Sequence, residues 1–301
     1  MRAFYYDHLP LSLPATHRFP ADKYRRLRER ILASGVVAPD CLTPAPEVTN
    51  AQLARAHDAD YVARFEGGLL SAAEIRRIGL PWSRELVARV RHMAGGSVAA
   101  ARIALRDGVG VILGGGTHHA ARDHGEGFCL YNDVIIAARA MQAEGRAHRV
   151  LIVDADVHQG NGTARIAAGD PSLYTFSIHG EKNFPYRKYP SDLDVGLPDD
   201  TRDAAYLDAL AAALDVAFPA AAPDLVIYLA GADPFRGDRL GRLALSKEGL
   251  AARDALVLER CRAERTPVAV TLAGGYGRDT ADTVDIYHQT VALAAQVAAT
   301  W

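Results

Sequence analysis

The feature that most constrains the fold is a unit repeated from about residue 109 onward: a short apolar run, a polar glycine-rich turn and a helical segment. Continuous apolar runs that alternate with helices are typical of a parallel sheet whose two faces are both covered by helices. The sequence therefore predicts an α/β fold. The predicted strands are 109–113, 150–153, 173–178, 225–229 and 268–272, and the predicted helices between them are 133–144, 203–217 and 247–264.

The first hundred residues carry helical patterns. Residues 21–34 place apolar side chains at helical spacing, and Gly35 is a predicted stop. Thr49 followed by Gln52 predicts a capping box that opens another helix, and 84–106 predicts a long helix.

Composition narrows the class of protein. With 301 residues, 49% of them hydrophobic, the chain can bury roughly three quarters of its extended surface without a disulfide or a structural metal. Its formal net charge of −2 provides no global field for a polyanion, so no nucleic acid partner is expected. Three scattered cysteines, Cys41, Cys129 and Cys261, indicate neither a disulfide framework nor a cysteine zinc site.

The same pass along the chain finds no signal peptide, no membrane span, no repeat and no low-complexity linker. We therefore expect a single domain over residues 1–301 in the cytoplasm, with no membrane partner. The oligomeric state stays open at this stage.

Polar side chains gather where the predicted strands end. Because the carboxyl ends of parallel strands meet at one edge of a sheet, and ligands bind just beyond that edge, these side chains are candidates for a site. They are His118 and His119 after the first strand, Asp154, Asp156 and His158 after the second, Ser177 and His179 at the third, Gly231 and Asp233 after the fourth, and Gly274, Gly275 and Tyr276 after the fifth.

At the end of the second strand, the side chains of Asp154, Asp156 and His158 would all point to the same side, because side-chain direction alternates from one residue to the next in extended backbone. A single Asp at such a turn would more simply cap a helix. Two carboxylates and an imidazole in an apolar setting need a cation. Asp156, His158 and Asp233 would form three ligands with a fourth position open, as in catalytic zinc sites, although Mn²⁺ or Fe²⁺ also suits this set.

Two further elements complete the candidate site. His118 and His119 lie in a glycine-rich turn and predict two imidazoles with different protonation states, one with Asp154 as its partner and one with Asn161. Tyr276 lies between glycines, and its phenol could donate a hydrogen bond to a forming oxyanion.

At these residues the chain resembles the histone deacetylases and related acyl-amide hydrolases, over most of its length. The matching segments are HDADY at 57–61, IGLPWS at 78–83, GGGTHHA at 114–120, GEGFCLYND at 125–133, DADVHQGNGT at 154–163, SIHGEKNFP at 177–185, LAGADP at 229–234 and AGGYG at 273–277. IGLPWS and the segments around 179–195 and 237–254 look most like class IV and its bacterial relatives. Asn161, where many class I enzymes carry Asp, also looks like the class IV and class II pattern.

The resemblance implies an arginase/deacetylase-like three-layer α/β/α fold with a mainly parallel eight-stranded sheet. It implies one Zn²⁺ per chain on Asp156, His158 and Asp233, with His119 as general base, His118 as its electrostatic companion and Tyr276 as the donor to the carbonyl. It also implies the following positions: Phe128, Phe184, Gly127 and Gly275 beside the substrate, and a structural K⁺ near Asp154, Asp156, His158, Ser177 and Ile178.

The expected function is zinc-dependent hydrolysis of an N-acyl amide, with an acyl-lysine peptide or an acylated small amine as substrate. A metal-activated water is the nucleophile and a histidine the base. Three alternatives stay open: an acetylpolyamine amidohydrolase, for which Asp58 and Asp60 could supply an acidic rim; a ureohydrolase with two Mn²⁺ ions; and a binding module without catalysis.

Overall fold

The strands form one sheet in which every hydrogen-bonded pair is parallel. A computed structural model describes residues 1–14 and 17–301. The order across the sheet is β2-β1-β3-β8-β7-β4-β5-β6. The strands are β1 (Arg2–Tyr5), β2 (Leu42–Pro44), β3 (Val109–Ile112), β4 (Val150–Asp154), β5 (Leu173–Gly180), β6 (Leu193–Leu197), β7 (Leu225–Leu229) and β8 (Val268–Thr271).

Ten α-helices are present among the described residues. They are α1 (Lys23–Ser34), α2 (Asn50–Leu53), α3 (Ala59–Glu66), α4 (Ala72–Ile78), α5 (Arg84–Asp107), α6 (Asp133–Ala143), α7 (Asn161–Ala167), α8 (Asp203–Ala221), α9 (Lys247–Ala263) and α10 (Thr280–Ala299). The five strands and the helices predicted from periodicity are all present, with ends that differ by a few residues.

Helices cover both faces of the sheet, so the fold has three layers. Side chains of α1, α8, α9 and α10 pack in one apolar cluster with alternate strand residues such as Val153 and Tyr228. Side chains of α5, α6 and α7 pack in the other cluster with the intervening residues, such as Ile152 and Ile227. This alternation of faces follows from the two-residue repeat of a strand and explains why the predicted strands are continuously apolar.

The structure confirms the α/β class and the eight-stranded sheet, and it adds three strands that periodicity did not locate: β1, β2 and β6. All three lie toward the edges of the sheet, and β2 ends in Pro44, a residue that an edge tolerates. In β6 the burial alternates, because only one face of that strand is covered. The assignment of residues 1–301 to one domain stays a prediction.

Local signals set the helix ends as predicted. Thr49 Oγ1 accepts from the backbone of Gln52, whose side chain accepts from the Thr49 N–H in return. Gly35 ends α1 with a left-handed φ of 68°, which glycine adopts without steric cost.

Among the described helices, α8 is long and apolar enough to cross a membrane by length and composition alone. Its buried residues, among them Tyr206, Leu210 and Phe218, pack into the core beside the sheet. Asp208 and Asp215 lie on its exposed side. Packing against the sheet therefore accounts for the apolar face of this helix.

Candidate active site

Three potential metal ligands converge beyond the ends of two paired strands. Asp156 and His158 follow β4, Asp233 follows β7, and the register of these strands pairs Asp154 with Leu229. One ligand atom from each of the three lies within 4.8 Å of the others, and all three residues are buried. His158 Nδ1 is 2.9 Å from Asp156 Oδ1 and 3.3 Å from Asp233 Oδ2. Strand pairing therefore brings together residues that are far apart in the sequence.

The chemistry of this cluster fits a divalent cation. Asp233 Oδ2 is buried and has no hydrogen-bond donor among the described residues, while its Oδ1 accepts from the Val157 N–H at 2.9 Å. Burial, together with the charge of Asp156, raises the pKa of Asp233 to about 7. A buried carboxylate oxygen without a donor is costly unless a positive charge is beside it.

Gly274 lines this cluster closely. A Cβ there would lie 2.0 Å from Asp233 Oδ2 and 2.6 Å from Asp156 Oδ2, so only glycine fits without displacing the carboxylates. Its N–H donates to Asp156 Oδ2 at 2.7 Å, which holds that carboxylate in place.

His118 pairs with a carboxylate. Its Nδ1 lies 2.6 Å from Asp154 Oδ2, and both side chains are buried. Burial alone would lower the pKa of His118, but the charges of Asp154 and Asp156 outweigh it and raise the pKa to about 9. This imidazole is therefore protonated at neutral pH.

His119 has the opposite environment. Burial and the neighbouring imidazoles, His118 and His158, hold its pKa well below the ordinary range of histidine. Its Nδ1 lies 2.7 Å from the amide oxygen of Asn161, and the Asn161 amide nitrogen donates to Glu126 Oε2 at 3.1 Å. Since the amide oxygen only accepts, Nδ1 carries the proton and Nε2 has the free lone pair.

Tyr276 is buried beside the cluster, after β8. Burial and the charges of Asp233 and Asp156 raise its pKa well above that of an ordinary tyrosine, so the phenol stays protonated. Its backbone N–H donates to Asp238 Oδ2 at 2.6 Å. Its ring lies 5.1 Å from the ammonium of Lys23, which donates to the Gly275 carbonyl at 2.9 Å.

A cavity of about 760 Å³ joins these groups to the surface. Phe128, Phe184 and Gly127 line it, as the resemblance implies, and so do both histidines and Tyr276. Phe128 has a left-handed φ of 66°, a conformation that costs a non-glycine residue about 1–3 kcal/mol. Its ring lies 5.8 Å from that of Tyr276.

Two of the implied positions need separate mention. Gly275 is not among the described residues that line the cavity; its neighbour Gly274 is, and Gly275 contacts Lys23 instead. Ser177 lies opposite Asp154 in the register of β4 and β5, and its Oγ is 3.0 Å from His179 Nδ1. Ile178 is buried in the core.

Sequence reasoning missed three residues that support the site: Lys23, Asp238 and Arg253. Arg253, buried in α9, donates to the carbonyls of Ala155 and Gly231 at 3.2 and 2.5 Å, in the two loops that carry Asp156 and Asp233. A charged residue in a helix, such as Lys23 or Arg253, or in a loop, such as Asp238, is ordinarily solvated, and no sequence pattern marked these as buried. Only the depth of each side chain in the fold distinguishes them.

The acidic rim suggested for Asp58 and Asp60 is absent from the described cavity lining. Asp58 lies 3.3 Å from Arg122 and Asp60 lies 2.9 Å from Arg64, so each has a basic partner away from the opening. The acidic residues that do line the cavity are Glu126 and Asp156.

Comparison with known proteins places this geometry in a family. The family model for the histone deacetylase domain matches residues 17–292. The chain belongs to the histone deacetylase family. It is therefore a metal-dependent hydrolase with deacetylase-like activity, and the predicted family is confirmed.

Relatives and a solved structure agree with this membership. The chain is 44% identical over 280 residues to an uncharacterized protein of Picosynechococcus sp. strain PCC 7002, covering 93% of each chain. It is 28% identical over 290 residues to histone deacetylase 2 of Arabidopsis thaliana, covering 92% of this chain and 74% of that one. The acetoin utilization protein AcuC of Staphylococcus aureus is 29% identical over 251 residues, covering 75% of this chain and 64% of the relative.

The fold has a solved counterpart in the crystal structure of the HDA15 HD domain. That structure superposes with a TM-score of 0.78 at 24% sequence identity, covering 100% of this chain and 90% of the other. The likeness confirms the predicted arginase/deacetylase-like fold.

Proposed function

We propose that the protein removes the acyl group from an acylated lysine side chain, with one Zn²⁺ held by Asp156, His158 and Asp233. The observation that carries this proposal is the convergence of these three donors, two imidazoles and a buried phenol at the floor of one cavity. Metal-assisted amide hydrolysis uses a Lewis acid, a proton acceptor and a donor to the developing oxyanion. The floor offers one group for each task.

The donor set favours zinc. Three protein ligands with an open fourth position are typical of catalytic zinc, and Fe²⁺ or Mn²⁺ also accepts two carboxylates and an imidazole. When bound, the ion supplies a Lewis acid for the acyl carbonyl and lowers the pKa of a water toward neutrality.

In this proposal His119 is the general base. Its low pKa keeps it unprotonated at neutral pH, and the hydrogen bond from Nδ1 to Asn161 leaves Nε2 as the atom that accepts the proton of the attacking water. The same nitrogen then returns the proton to the leaving amine. The ring centroid of His118 is 4.2 Å from that of His119. The positive charge of protonated His118 favours this return, because it lowers the pKa of the His119 imidazolium that forms when His119 accepts the proton.

Tyr276 donates a hydrogen bond to the oxyanion that forms on the acyl carbon. A phenol whose pKa is raised by burial keeps its proton, and its packed surroundings fix its position, so it is a preorganised donor. Asp238 and Lys23 are positioning residues, because they hold the backbone and the ring of Tyr276 but do not reach the floor through hydrogen bonds of their own.

Phe128 and Phe184 are proposed to flank the aliphatic part of the acylated side chain. The ring of Phe184 lies 4.9 Å from that of His119, so a chain between the aromatics would present its amide to the base. A narrow apolar passage suits the uncharged methylene groups of an acyl-lysine.

Two smaller parts of the proposal concern ions and location. A structural K⁺ beside Asp154 and Ser177 is supported by the pairing of these residues across β4 and β5.

A cytoplasmic location is supported by the three unpaired cysteines, which suit a reducing compartment.

The alternatives are supported less well. A binuclear ureohydrolase needs a second set of ligands, and the described residues hold a single cluster of three. An acetylated polyamine is cationic, whereas Asp58 and Asp60 are paired elsewhere. A small acylated amine stays the second candidate, since one relative is named for acetoin utilization.

The test is hydrolysis of acetyl- and longer acyl-lysine peptides by purified protein whose metal content is measured by mass spectrometry. Matched assays use an acetylated polyamine and arginine, after loading with Zn²⁺, Fe²⁺ or Mn²⁺. We expect one metal per chain and the highest kcat/KM on an acyl-lysine. Faster turnover of arginine with two Mn²⁺ bound, or no hydrolysis of any acylated amine, would refute the proposal.

A further inference from the structure

The mouth of the cavity carries charge of the sign opposite to its floor. Five basic side chains that line the cavity are exposed, and among the described lining residues the only acidic one outside the buried floor is Glu126. The formal charge of the whole chain is −2, so this excess is local and does not reflect the composition. The five residues are Arg18, Arg77, Lys182, Arg239 and Arg242.

Hydrogen bonds tie three of these residues to the active site. The carbonyl of Arg77 accepts from the N–H of Gly127 at 3.2 Å, beside the substrate passage. Arg239 Nε donates to the Tyr276 carbonyl at 3.1 Å, and its Nη2 donates to the Arg18 carbonyl at 3.4 Å. These contacts fix the three residues to segments that carry Gly127 and Tyr276.

The other two approach from another part of the chain. Lys182 stands two residues before Phe184, which lines the passage, and the N–H of Arg242 donates to Asn183 Oδ1 at 3.1 Å. Four separate segments of the chain thus bring basic side chains to a single opening. The basic charge at the opening is therefore assembled by the fold and is not a single run in the sequence.

Most of this charge has no acidic partner in the part of the chain that the structure describes. Arg242 pairs with Asp199 at 2.7 Å. The other four mouth residues form no salt bridge among the residues that the structure describes, 1–14 and 17–301. A ligand that carries carboxylates would therefore meet four basic groups without a carboxylate partner, of which Arg239 alone already donates to backbone carbonyls.

We propose that the protein selects acylated lysines that have aspartate or glutamate residues beside them in a peptide or protein. The inference rests on the proposed function, because it assumes that an acylated lysine enters the passage and leaves its flanking residues at the mouth. There, carboxylates would be attracted and basic residues repelled. Each exposed pair is worth only about 0.2–1 kcal/mol, so the preference comes from several acting together.

A nucleic acid fits these observations less well. Recognition of a nucleic acid backbone usually goes with a basic domain, whereas this chain has a formal net charge of −2. An acidic peptide needs only a cluster of charges around the residue that is inserted. The experiment below includes duplex DNA as a competitor.

The experiment compares three peptides of equal length with a central acetyl-lysine and acidic, neutral or basic flanking residues. The metal-loaded protein is assayed at low salt and at 0.5 M salt, with an end-blocked acetyl-lysine as reference substrate. We expect kcat/KM to fall from acidic through neutral to basic flanks, by about tenfold overall at low salt and chiefly through KM. Because the mouth is exposed, the preference should shrink to about threefold or less at high salt.

A charge reversal tests which residues are responsible. The double variant Arg77→Glu and Lys182→Glu should invert the preference, so that the basic peptide becomes the better substrate. The matched control is Arg76→Glu with Arg187→Glu, which reverses two exposed charges that do not line the cavity. This control should retain the preference of the unmodified protein.

Equal kcat/KM on the three peptides, with the reference substrate still hydrolysed, would overturn the selectivity and leave the proposed function intact. If no acyl-lysine is hydrolysed, the proposed function fails, and fluorescence anisotropy of the labelled peptides then tests the mouth directly. Tighter binding of the acidic peptide would support the selectivity, and equal binding would overturn it. Displacement of the acidic peptide by duplex DNA at equal charge concentration would also overturn it.

Discussion

The floor and the mouth of the same cavity differ in the sign of their charge and in their exposure to water. At the floor, Asp156 and three imidazoles line the cavity, and Asp233 and Asp154 contact His158 and His118 beside them; all of these groups are buried. The mouth carries exposed arginines and a lysine. Charges at the floor interact strongly because water is excluded, whereas those at the mouth are screened by solvent and salt. The two ends of the cavity should therefore respond very differently to substitution.

The difference also shows in how each charge is held. Both oxygens of Asp156 accept hydrogen bonds, from the backbone of His158 and of Gly274, and Arg253 braces the adjoining loops. Apart from Arg239 and Arg242, no described mouth residue has a hydrogen bond from its basic group within the protein. The floor is thus preorganised for chemistry, whereas the mouth can adapt to a partner.

The largest effect is expected from Asp233→Ala at the floor. Removing one of three ligands should abolish stoichiometric metal binding and lower kcat/KM by at least about 10³-fold, because the Lewis acid is worth several kcal/mol. Metal content by mass spectrometry and turnover are measured together. The control is Asp199→Ala at the mouth, which should keep its metal. A metal-replete Asp233→Ala protein would contradict the assigned ligand set.

Tyr276→Phe removes only the phenol. We expect kcat to fall by about 10²–10³-fold with metal content unchanged, since one donor to the oxyanion is lost. Tyr186→Phe is the matched control, because Tyr186 also lines the cavity but is 90% exposed. It should stay within about twofold of the unmodified protein. Near-normal turnover by Tyr276→Phe would remove the phenol from the mechanism.

Asn161→Asp changes the partner of the general base. Burial and neighbouring imidazoles lower the pKa of His119, and a carboxylate at Nδ1 would raise it by favouring the imidazolium. Protonation removes the base, so the acidic limb of the pH profile of kcat/KM should move about 1–2 units higher. Activity at pH 6 would fall relative to pH 8.

The control for this profile is Asn50→Asp, an exposed position on α2 outside the described cavity lining. Its acidic limb should coincide with that of the unmodified protein. If the limb of Asn161→Asp also stays in place, the group that titrates there is not His119.

The smallest effect is expected from Asp58→Asn combined with Asp60→Asn. Both carboxylates pair with arginines away from the cavity, so KM for an acetylated polyamine should change by less than about twofold. A rise in KM of more than fivefold would indicate that Asp58 and Asp60 do form an acidic rim that attracts the polyamine. The mouth would then not be uniformly basic, and its contrast with the floor would be weaker. KM is measured by steady-state kinetics, and the Arg77→Glu variant, which changes a charge at the mouth, is assayed in parallel for comparison with the double variant.

Much of this molecule follows from local patterns. Apolar runs in the sequence located five strands that lie inside the sheet: β3, β4, β5, β7 and β8. Burial on both faces of these strands makes each of them continuously apolar. The same runs placed Asp156, His158 and Asp233 at one edge, since parallel strands end together. The edge strands β2 and β6, and β1 next to β2, carry no such signal, and the family resemblance was needed to expect eight strands.

The tertiary structure decided what sequence spacing does not contain. Lys23 and Arg253 read as ordinary helix charges, yet packing buries both, and Arg253 reaches a carbonyl 98 residues away in the chain. The basic mouth arises from four segments that meet only in the folded protein. The physical reason is that periodicity reports which side of its own element a residue occupies, whereas depth and neighbouring charge depend on what other elements pack over it.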